Sequence, residues 1–221
     1  DPDPRTDGQG AAWLRERGIA VEMGLMAEDA ARAMAGFVLG QTLGRPHVTL
    51  KLGLSLDGQI ALADGASRWI TGPQARAHAH MERARHDAIL VGGGTLRADA
   101  PRLDVRIAGL EGRSPRRILL SRGAAPHGWE RIGTPEEIAT LDRVDHLLVE
   151  GGATTAAAFL RADLVDRLLL YRAPILIGNG LAGIGDIGLT DLSQAHGRWR
   201  LIDERRLGAD GLEVYEAVRS A

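Results

Sequence analysis

Short apolar runs alternate with helical segments along most of this chain. Apolar runs of about four to eight residues bounded by turn residues are typical of buried strands, and segments with a period of roughly 3.6 residues are typical of helices. This pattern predicts strands at 48–54, 88–91, 116–120, 146–149, 167–171, 175–177, 199–205 and 212–218. It predicts helices at 74–86 and 153–163, with a short capped helix beginning at Thr134–Glu137.

The order of these elements predicts the fold class. Strands and helices alternate first, which favours parallel strands joined by crossover helices. The last two strands follow one another through Asp210–Gly211, which favours a hairpin. We therefore expect an α/β fold, a mostly parallel sheet with an antiparallel edge. Thr71 and Gln74 have the spacing of a capping box at the start of the 74–86 helix.

Residues 1–45 differ from the rest of the chain. They contain a short helix, the apolar run Ile19–Val21 and an alanine-rich helix around Glu28–Leu39, and they end at the break Gly44–Pro46. A chain of 221 residues can bury one good core. We therefore expect a connecting segment over 1–45 and a single domain over 46–221.

Charge and composition exclude several classes of function. Lys and Arg total 27 against 29 Asp and Glu, and the net charge of −2 predicts no general attraction to nucleic acid or anionic membranes. The chain has no cysteine, which excludes disulfides and thiolate zinc sites. No apolar run approaches the roughly 20 residues needed to span a bilayer, and no leader is visible, so we expect a cytoplasmic protein. His78 and His80 do not share a helix face, and no metal site is expected.

Three glycine runs mark places where a ligand or another backbone segment could approach. Gly92–Gly94 stands at the end of a predicted strand. Val149–Gly152 lies where a strand ends and a helix begins, so that free amide groups favour an anion there; the alternative is a plain strand-to-helix turn. Gly178–Gly183 has the spacing of a dinucleotide fingerprint, but residues 184–188 lack helical periodicity, and we interpret the run as a loop.

Several polar residues stand in apolar surroundings, where each needs a partner. Lys51 and Asp57 either pair with each other or assist proton delivery. Glu150 ends a buried strand, and we expect it to face a ligand cleft rather than to join a structural ion pair. Arg83 and Arg106 are either solvated side chains or ligands of a phosphate, since guanidinium offers a planar fork to phosphate oxygens. Trp69 is either a core aromatic residue or a flat face for a ligand.

Four motifs follow one another in order: Ser-Leu-Asp-Gly, Ser-x-Trp-Ile-Thr, Gly-Gly-Thr-x-x-x-Asp-x-Pro and Val-Glu-Gly-Gly, beginning at Ser55, Ser67, Gly93 and Val149. In this order they resemble the reductase domain of the riboflavin-biosynthesis bifunctional deaminase/reductase. The resemblance covers roughly Pro46 to the C-terminus. Near the N-terminus, three short stretches resemble the tail of the family's deaminase domain: Asp1–Arg5, Gly8–Gly10 and Leu14–Val21.

The resemblance implies a fold, a reaction and a set of partners. It implies a dihydrofolate-reductase-like sheet with an antiparallel C-terminal hairpin. It also implies NADPH-dependent reduction of the ribose of 5-amino-6-(5-phosphoribosylamino)uracil to a ribityl chain, with hydride passing to C1′. The expected partners are this phosphorylated pyrimidine, a second copy in a homodimer, and a deaminase domain in a longer parent chain. A stretch without cysteine cannot itself supply the zinc ligands of that deaminase.

The resemblance also assigns roles to residues. It implies substrate contacts from Ser67, Arg83, Leu103, Arg106 and Glu150. It implies cofactor contacts from Gly53, Trp69, Thr95, Asp99, Gly152, Ala153, Thr154, Thr155, Ala156, Ala157 and Ala158. The catalytic proton donor stays open among Glu150, Asp57, Lys51 and a bound water.

The chain departs from the family pattern in two places. Ala100 stands where the family usually has an acidic or amide residue. The segment between Leu120 and His146 is short, so we expect the elements beside the adenine end of the cofactor to be reduced. Within it, our hypothesis is that Arg122 meets a 2′-phosphate. Two alternatives stay open: an inactive reductase-like domain that serves as a binding or dimerisation platform, and a reductase of another small heterocycle.

Overall fold

A computed structural model describes residues 3–219, so Asp1 and Pro2 of the N-terminal motif and the last two residues of the chain lie outside the described residues. The helices are α1 (Gln9–Glu16), α2 (Ala27–Ala33), α3 (Ala35–Leu43), α4 (Pro73–Ala84), α5 (Gly93–Asp99) and α6 (Ala153–Arg161). The strands are β1 (His47–Leu54), β2 (Gln59–Leu62), β3 (Ala88–Gly92), β4 (Arg116–Leu120), β5 (Glu130–Ile132), β6 (His146–Val149), β7 (Arg167–Arg172), β8 (Gly180–Ala182), β9 (Trp199–Leu207) and β10 (Asp210–Ala217). Short 3-10 helices lie at Glu111–Arg113, Pro135–Thr140 and Leu192–Ala195.

The main sheet has eight strands in the order β5-β4-β3-β6-β1-β7-β10-β9. Its pairings from β5 to β7 are parallel, and β10 pairs antiparallel with both β7 and β9. A second sheet joins β2 and β8 antiparallel. The expected α/β fold with a C-terminal hairpin is therefore confirmed. Within residues 3–219, no helix is both long enough and apolar enough to cross a bilayer.

Both faces of the central strands are buried, which explains why they are apolar runs rather than alternating ones. On β3, Leu90 packs into one core cluster, whereas Ile89 and Val91 pack into another on the opposite face. Helix α6 covers the first face through Ala156, Phe159 and Leu160. Helix α4 covers the other face beside β7 and β10. The carboxyl ends of β1, β3 and β6 are thus left open for a site between the two helices.

Two predicted elements are wrong. The strand at 175–177 is irregular, because the Ile175 amide turns back to the Ala173 carbonyl and the Ile177 and Gly178 amides bond to Asp57. The helix around Glu28–Leu39 is two helices, α2 and α3, which meet at Met34. The structure adds short elements that the pattern does not predict: β2, β5, β8, α5 and the 3-10 helices at Glu111–Arg113 and Leu192–Ala195.

The start of α4 is fixed from a distant part of the chain. The predicted capping box at Thr71 is wrong, because the N-cap of α4 is Gly72, which has no side chain to bond to the helix. Instead the buried Asp210 carboxylate on β10 accepts a hydrogen bond from the Gly72 amide at 2.6 Å. Gln74 lies against Gly208 at the hairpin turn. The C-terminal hairpin therefore holds the helix that carries Arg83.

A buried ion pair ties the N-terminal segment to the sheet. Arg45 donates two hydrogen bonds to Asp166 at 2.7 and 2.9 Å, and the Val48 amide donates a third at 2.9 Å. Burial by itself raises the pKa of Asp166, but Arg45 and the Val48 amide outweigh it and lower that pKa. A buried carboxylate without these donors would be strongly unfavourable. The expected boundary between 45 and 46 thus coincides with a structural anchor.

The stability of the fold is predicted to fall in mild acid because of His47. Burial lowers its pKa from 6.5 to about 4, while nearby Asp166 opposes the shift and His146, His86 and Arg167 add to it. At a pH between these two values, His47 is protonated in the unfolded chain but neutral in the folded chain. The contribution of neutral His47 to the free energy of unfolding should therefore be complete above pH 6.5, and the free energy should fall by about 3 kcal/mol as pH drops to 4. Urea unfolding at pH 7 and pH 4.5 measures this loss. A His47→Asn variant with the same pH dependence as the wild type would contradict the assignment.

Candidate active site

The candidate site is centred on Glu150, the residue that follows β6. The register places Leu50 of β1 beside Val149, so Lys51 and Glu150 are neighbours at the carboxyl end of the sheet. The Lys51 Nζ lies 3.9 Å from Glu150 Oε2 and 5.5 Å from the centre of the Tyr171 ring. Open α/β sheets bind ligands at this edge.

Arg83 of α4 closes a bidentate ion pair with Glu150. Its Nε and Nη2 donate to the two carboxylate oxygens at 2.8 and 2.9 Å. The Glu150 side chain is 11% exposed and that of Arg83 is 14% exposed. The third guanidinium nitrogen, Nη1, donates to the Asp104 carbonyl at 3.1 Å. Arg83 therefore links β6 to the irregular segment after α5.

The carboxylate of Glu150 is ionised at neutral pH. Burial by itself raises its pKa, but Lys51, the hydrogen bonds from Arg83 and the charge of Arg83 outweigh this and lower the pKa from 4.5 to about 2. The expectation that Glu150 avoids a structural ion pair is therefore wrong. Lys51 and Arg83 thus favour the charged form of Glu150 at the carboxyl end of β6.

The partners of Arg83 also differ from those expected of a phosphate ligand. Its donors are engaged with Glu150 and Asp104 and its side chain is largely buried. By contrast, the side chain of Arg106 is 59% exposed, with its Nε 3.6 Å from Asp104 Oδ1. Arg102 lies on the other carboxylate oxygen of Asp104 at 3.0 Å. Arg102, Asp104 and Arg106 line an open cleft of about 510 Å³.

The side chain of Leu103 is buried in the core and does not face the cleft. Its side chain is 3% exposed and packs against Ile89, Val91 and Leu148. Its backbone has φ = 56°, a left-handed conformation that is uncommon outside glycine. Leu103 can therefore contact a ligand only through its main chain, while its side chain anchors the segment that carries Arg106.

Helix α6 presents its N-terminus at the same edge of the sheet. Gly152 is the N-cap, and the Gly152 amide donates to Thr95 Oγ1 at 3.3 Å. A Cβ at Gly152 would meet only that hydroxyl, at 3.6 Å, so the backbone here is accessible. The first amides of a helix have no intrahelical acceptor and favour an anion. This geometry fits the pyrophosphate of a dinucleotide.

Only the first part of the 152–158 stretch faces this opening. Thr155, Ala156 and Ala157 are buried, at 7%, 0% and 5% exposure. A Cβ on Gly151 would lie 2.5 Å from Thr155 Cβ, so Thr155 sits directly beneath the glycine turn. The side chains of these three residues therefore pack inside the protein, and the next residue, Ala158, is half-buried.

The remaining expected site residues differ in exposure and in their contacts. Trp69 is 66% exposed, which excludes the core-aromatic alternative, and Arg76 lies over its ring at 4.6 Å. Gly53 lies at the end of β1, where a Cβ would touch Thr71 at 3.4 Å. Asp99 ends α5, and its carbonyl accepts a bond from Arg68 at 3.4 Å. The half-buried Ser67 and the exposed Arg122 complete the set.

Asp57 has a structural role in this conformation. It accepts a hydrogen bond from Ser55 Oγ at 2.5 Å and from the amides of Ile177 and Gly178 at 3.2 and 2.6 Å. The Ser55 and backbone bonds lower the pKa of Asp57 from 3.8 to about 2. The alternative that Lys51 and Asp57 pair with each other is therefore wrong, because Asp57 is engaged with the 175–178 loop.

Two sequence interpretations of neighbouring loops can be compared with the structure. Residues Gly180–Ala182 form β8, so the loop interpretation of Gly178–Gly183 is wrong for these three residues. No helix follows in the described chain up to Leu189, which confirms that the run is not a dinucleotide fingerprint. The segment between Leu120 and His146 contains a three-residue strand and a 3-10 helix. In the part of the chain that the structure describes, no cluster of three or more acidic or histidine side chains could hold a metal ion.

A family model described as the RibD C-terminal domain matches residues 46–210. The chain belongs to this family. The mostly parallel sheet with its antiparallel hairpin is the dihydrofolate-reductase-like fold that the family resemblance implied.

Relatives and solved structures of this family cover nearly the whole chain. The riboflavin biosynthesis protein RibD of Mycobacterium tuberculosis H37Rv is 38% identical over 219 residues, which is 92% of this chain and 64% of the relative. The RibD protein of Escherichia coli K12 is 32% identical and covers 95% of this chain, which spans 70% of that relative. A deaminase/5-amino-6-(5-phosphoribosylamino)uracil reductase from Thermotoga maritima superimposes with a TM-score of 0.84 at 27% identity, over 99% of this chain and 69% of its own. The chain thus spans about two thirds of the length of these relatives.

Proposed function

We propose that this chain catalyses the NADPH-dependent reduction of the ribose of 5-amino-6-(5-phosphoribosylamino)uracil to a ribityl chain, a step of riboflavin biosynthesis. The observation that carries the proposal is the ionised Glu150, held between Lys51 and Arg83 beside the open N-terminus of α6. Membership of the RibD C-terminal domain family supports the same reaction.

The proposed cofactor site lies at the start of α6. When bound, NADPH supplies a hydride to C1′ of the sugar. The amides of Gly152, Ala153 and Thr154 would hold the pyrophosphate, with Thr95 beside them. The exposed ring of Trp69 offers a flat apolar face. Near the adenine end, the exposed guanidinium of Arg122 would meet the 2′-phosphate and favour NADPH over NADH.

The proposed substrate site lies between Glu150 and the 102–106 segment. We assign the 5′-phosphate to Arg106, whose guanidinium is exposed in the cleft. Glu150 would accept hydrogen bonds from the substrate and orient it, while Arg83 holds the carboxylate in place. Ser67 and the main chain of Leu103 would complete the contacts.

We assign the proton to Lys51. When C1′ accepts the hydride, the bond between C1′ and the ring oxygen breaks and that oxygen takes one proton. Glu150 and Asp57 both have pKa values of about 2 and carry no proton at neutral pH. Lys51 is the remaining candidate of the three, and its Nζ lies 3.9 Å from Glu150 Oε2.

We further propose that the chain acts in the cytoplasm as a homodimer and that its parent protein carries a deaminase domain. The greater length of the RibD relatives supports the last point.

Mixing the purified chain with NADPH and the phosphorylated substrate tests the function directly. The wild type should oxidise NADPH, which absorbance follows. Gly152→Val should abolish NADPH binding and stay folded, since its Cβ would meet only Thr95 Oγ1 while the branched side chain occupies the pyrophosphate space. Binding without turnover in the wild type would favour an inactive platform. Turnover of an unphosphorylated heterocycle alone would favour a different substrate.

Arg106→Ala is predicted to raise the KM for the phosphorylated substrate by about tenfold or more, because it removes a charge-assisted contact worth ~1.5 to 3 kcal/mol. The KM for a dephosphorylated analogue should stay the same. Arg143→Ala is the matched control, since that arginine is 90% exposed and pairs with its neighbour Asp142. Equal losses of Arg106→Ala on both substrates would contradict a role in reading the phosphate.

A further inference from the structure

The main chain around Arg106 is held by a histidine that none of the assignments above uses. His80 lies on α4, three residues before Arg83, and its ring is partly buried. Its Nδ1 lies 3.3 Å from the Arg106 amide nitrogen and 3.1 Å from the Asp104 carbonyl oxygen. The intervening Val105 amide donates to Ser114 Oγ at 3.0 Å. The segment that carries the proposed phosphate ligand is thus fixed through its backbone.

One ring nitrogen cannot satisfy both neighbours at the same time. With the proton on Nε2, Nδ1 accepts a hydrogen bond from the Arg106 amide. With a proton on Nδ1, it donates to the Asp104 carbonyl and the Arg106 amide loses its acceptor. The Asp104 carbonyl already accepts a bond from Arg83 Nη1 at 3.1 Å, so it does not need His80. The neutral form protonated at Nε2 is therefore the one that leaves both the Arg106 amide and the Asp104 carbonyl partnered.

We propose that His80 is a positioning residue for substrate binding: in its neutral form it accepts the Arg106 amide and so holds Arg106 in place to read the substrate phosphate. This inference rests on the proposed function. It makes phosphate recognition depend on the protonation of a residue that touches neither phosphate nor cofactor.

The charges around His80 favour its neutral form. Arg83 faces it from α4, Arg106 and Asp104 from the segment, and Glu150 from the end of β6. Burial lowers the pKa of His80, and Arg83 and Arg106 lower it further, against the smaller opposing effects of the Asp104 carbonyl and Glu150. The acceptor state should therefore persist at neutral pH and be lost in acid.

Two substitutions at this position separate the loss of the hydrogen-bond acceptor from the loss of the imidazole ring. His80→Leu removes the acceptor, and it should raise the KM for the phosphorylated substrate by about fivefold, as expected for the loss of one hydrogen bond that positions Arg106, with kcat and NADPH affinity nearly unchanged. His80→Asn places an amide oxygen close to the position of Nδ1 and should restore most of the loss. If both variants keep the wild-type KM, the proposal is overturned.

The pH dependence distinguishes positioning from simple packing. The substrate phosphate itself titrates near pH 6, so the informative quantity is the ratio of KM in the wild type to KM in His80→Asn at each pH. This ratio should rise as pH falls below 6.5, because only the wild type loses its acceptor. His78→Asn on the same helix breaks a bond to the Tyr171 hydroxyl instead and should keep the wild-type pH dependence. A flat ratio would contradict the proposal.

Hydrogen exchange at the Arg106 amide separates this inference from the proposed function. Exchange should be slow in the wild type and His80→Asn and faster in His80→Leu. A wild type that does not oxidise NADPH would overturn the proposed function, and with it the role of His80 in substrate binding, whatever the exchange result. An active wild type with equal exchange in all three proteins would overturn the His80 inference alone.

Discussion

The buried ion pair between Arg83 and Glu150 is the interaction on which the rest of the site depends. A carboxylate at the end of a buried strand is unfavourable unless it is paired and hydrogen-bonded, and two bonds from Arg83 with Lys51 beside them provide this. The pair also connects three parts of the fold: β6, α4 and, through the Asp104 carbonyl, the 102–106 segment. Loss of either partner would leave a buried charge and release that segment.

The glycine turns make a second, steric constraint at the same edge. Thr155 fills the space beneath Gly92 and Gly151, so a side chain at either position would collide with it. Gly152, one residue on, has no such neighbour. Adjacent glycines therefore serve different purposes: one allows the helix to pack against the sheet, and the next leaves the helix N-terminus open to an anion.

The sequence predicts much of the fold because the central strands are buried on both faces and appear as continuous apolar runs. It does not predict β2, β5 or α5, which are too short to show a period. It also misses contacts between residues far apart in the chain: Asp210 at Gly72, Arg83 at Glu150, and His80 at Arg106 are separated by 138, 67 and 26 residues. The sequence predicts the general location of the candidate site, because its motifs lie at the ends of strands. It does not predict which charged residues pair with each other, because that depends on the tertiary fold.

A double-mutant cycle on the central ion pair tests this account most directly. We would measure kcat/KM for the phosphorylated substrate in the wild type, Arg83→Gln, Glu150→Gln and the double variant. If the two residues act as one unit, each single substitution should cost nearly as much as both together, a loss of about 10²-fold, as expected when a group that positions the substrate is displaced. Independent, multiplying losses would contradict the account, because they would mean that Arg83 and Glu150 serve separate parts of the site.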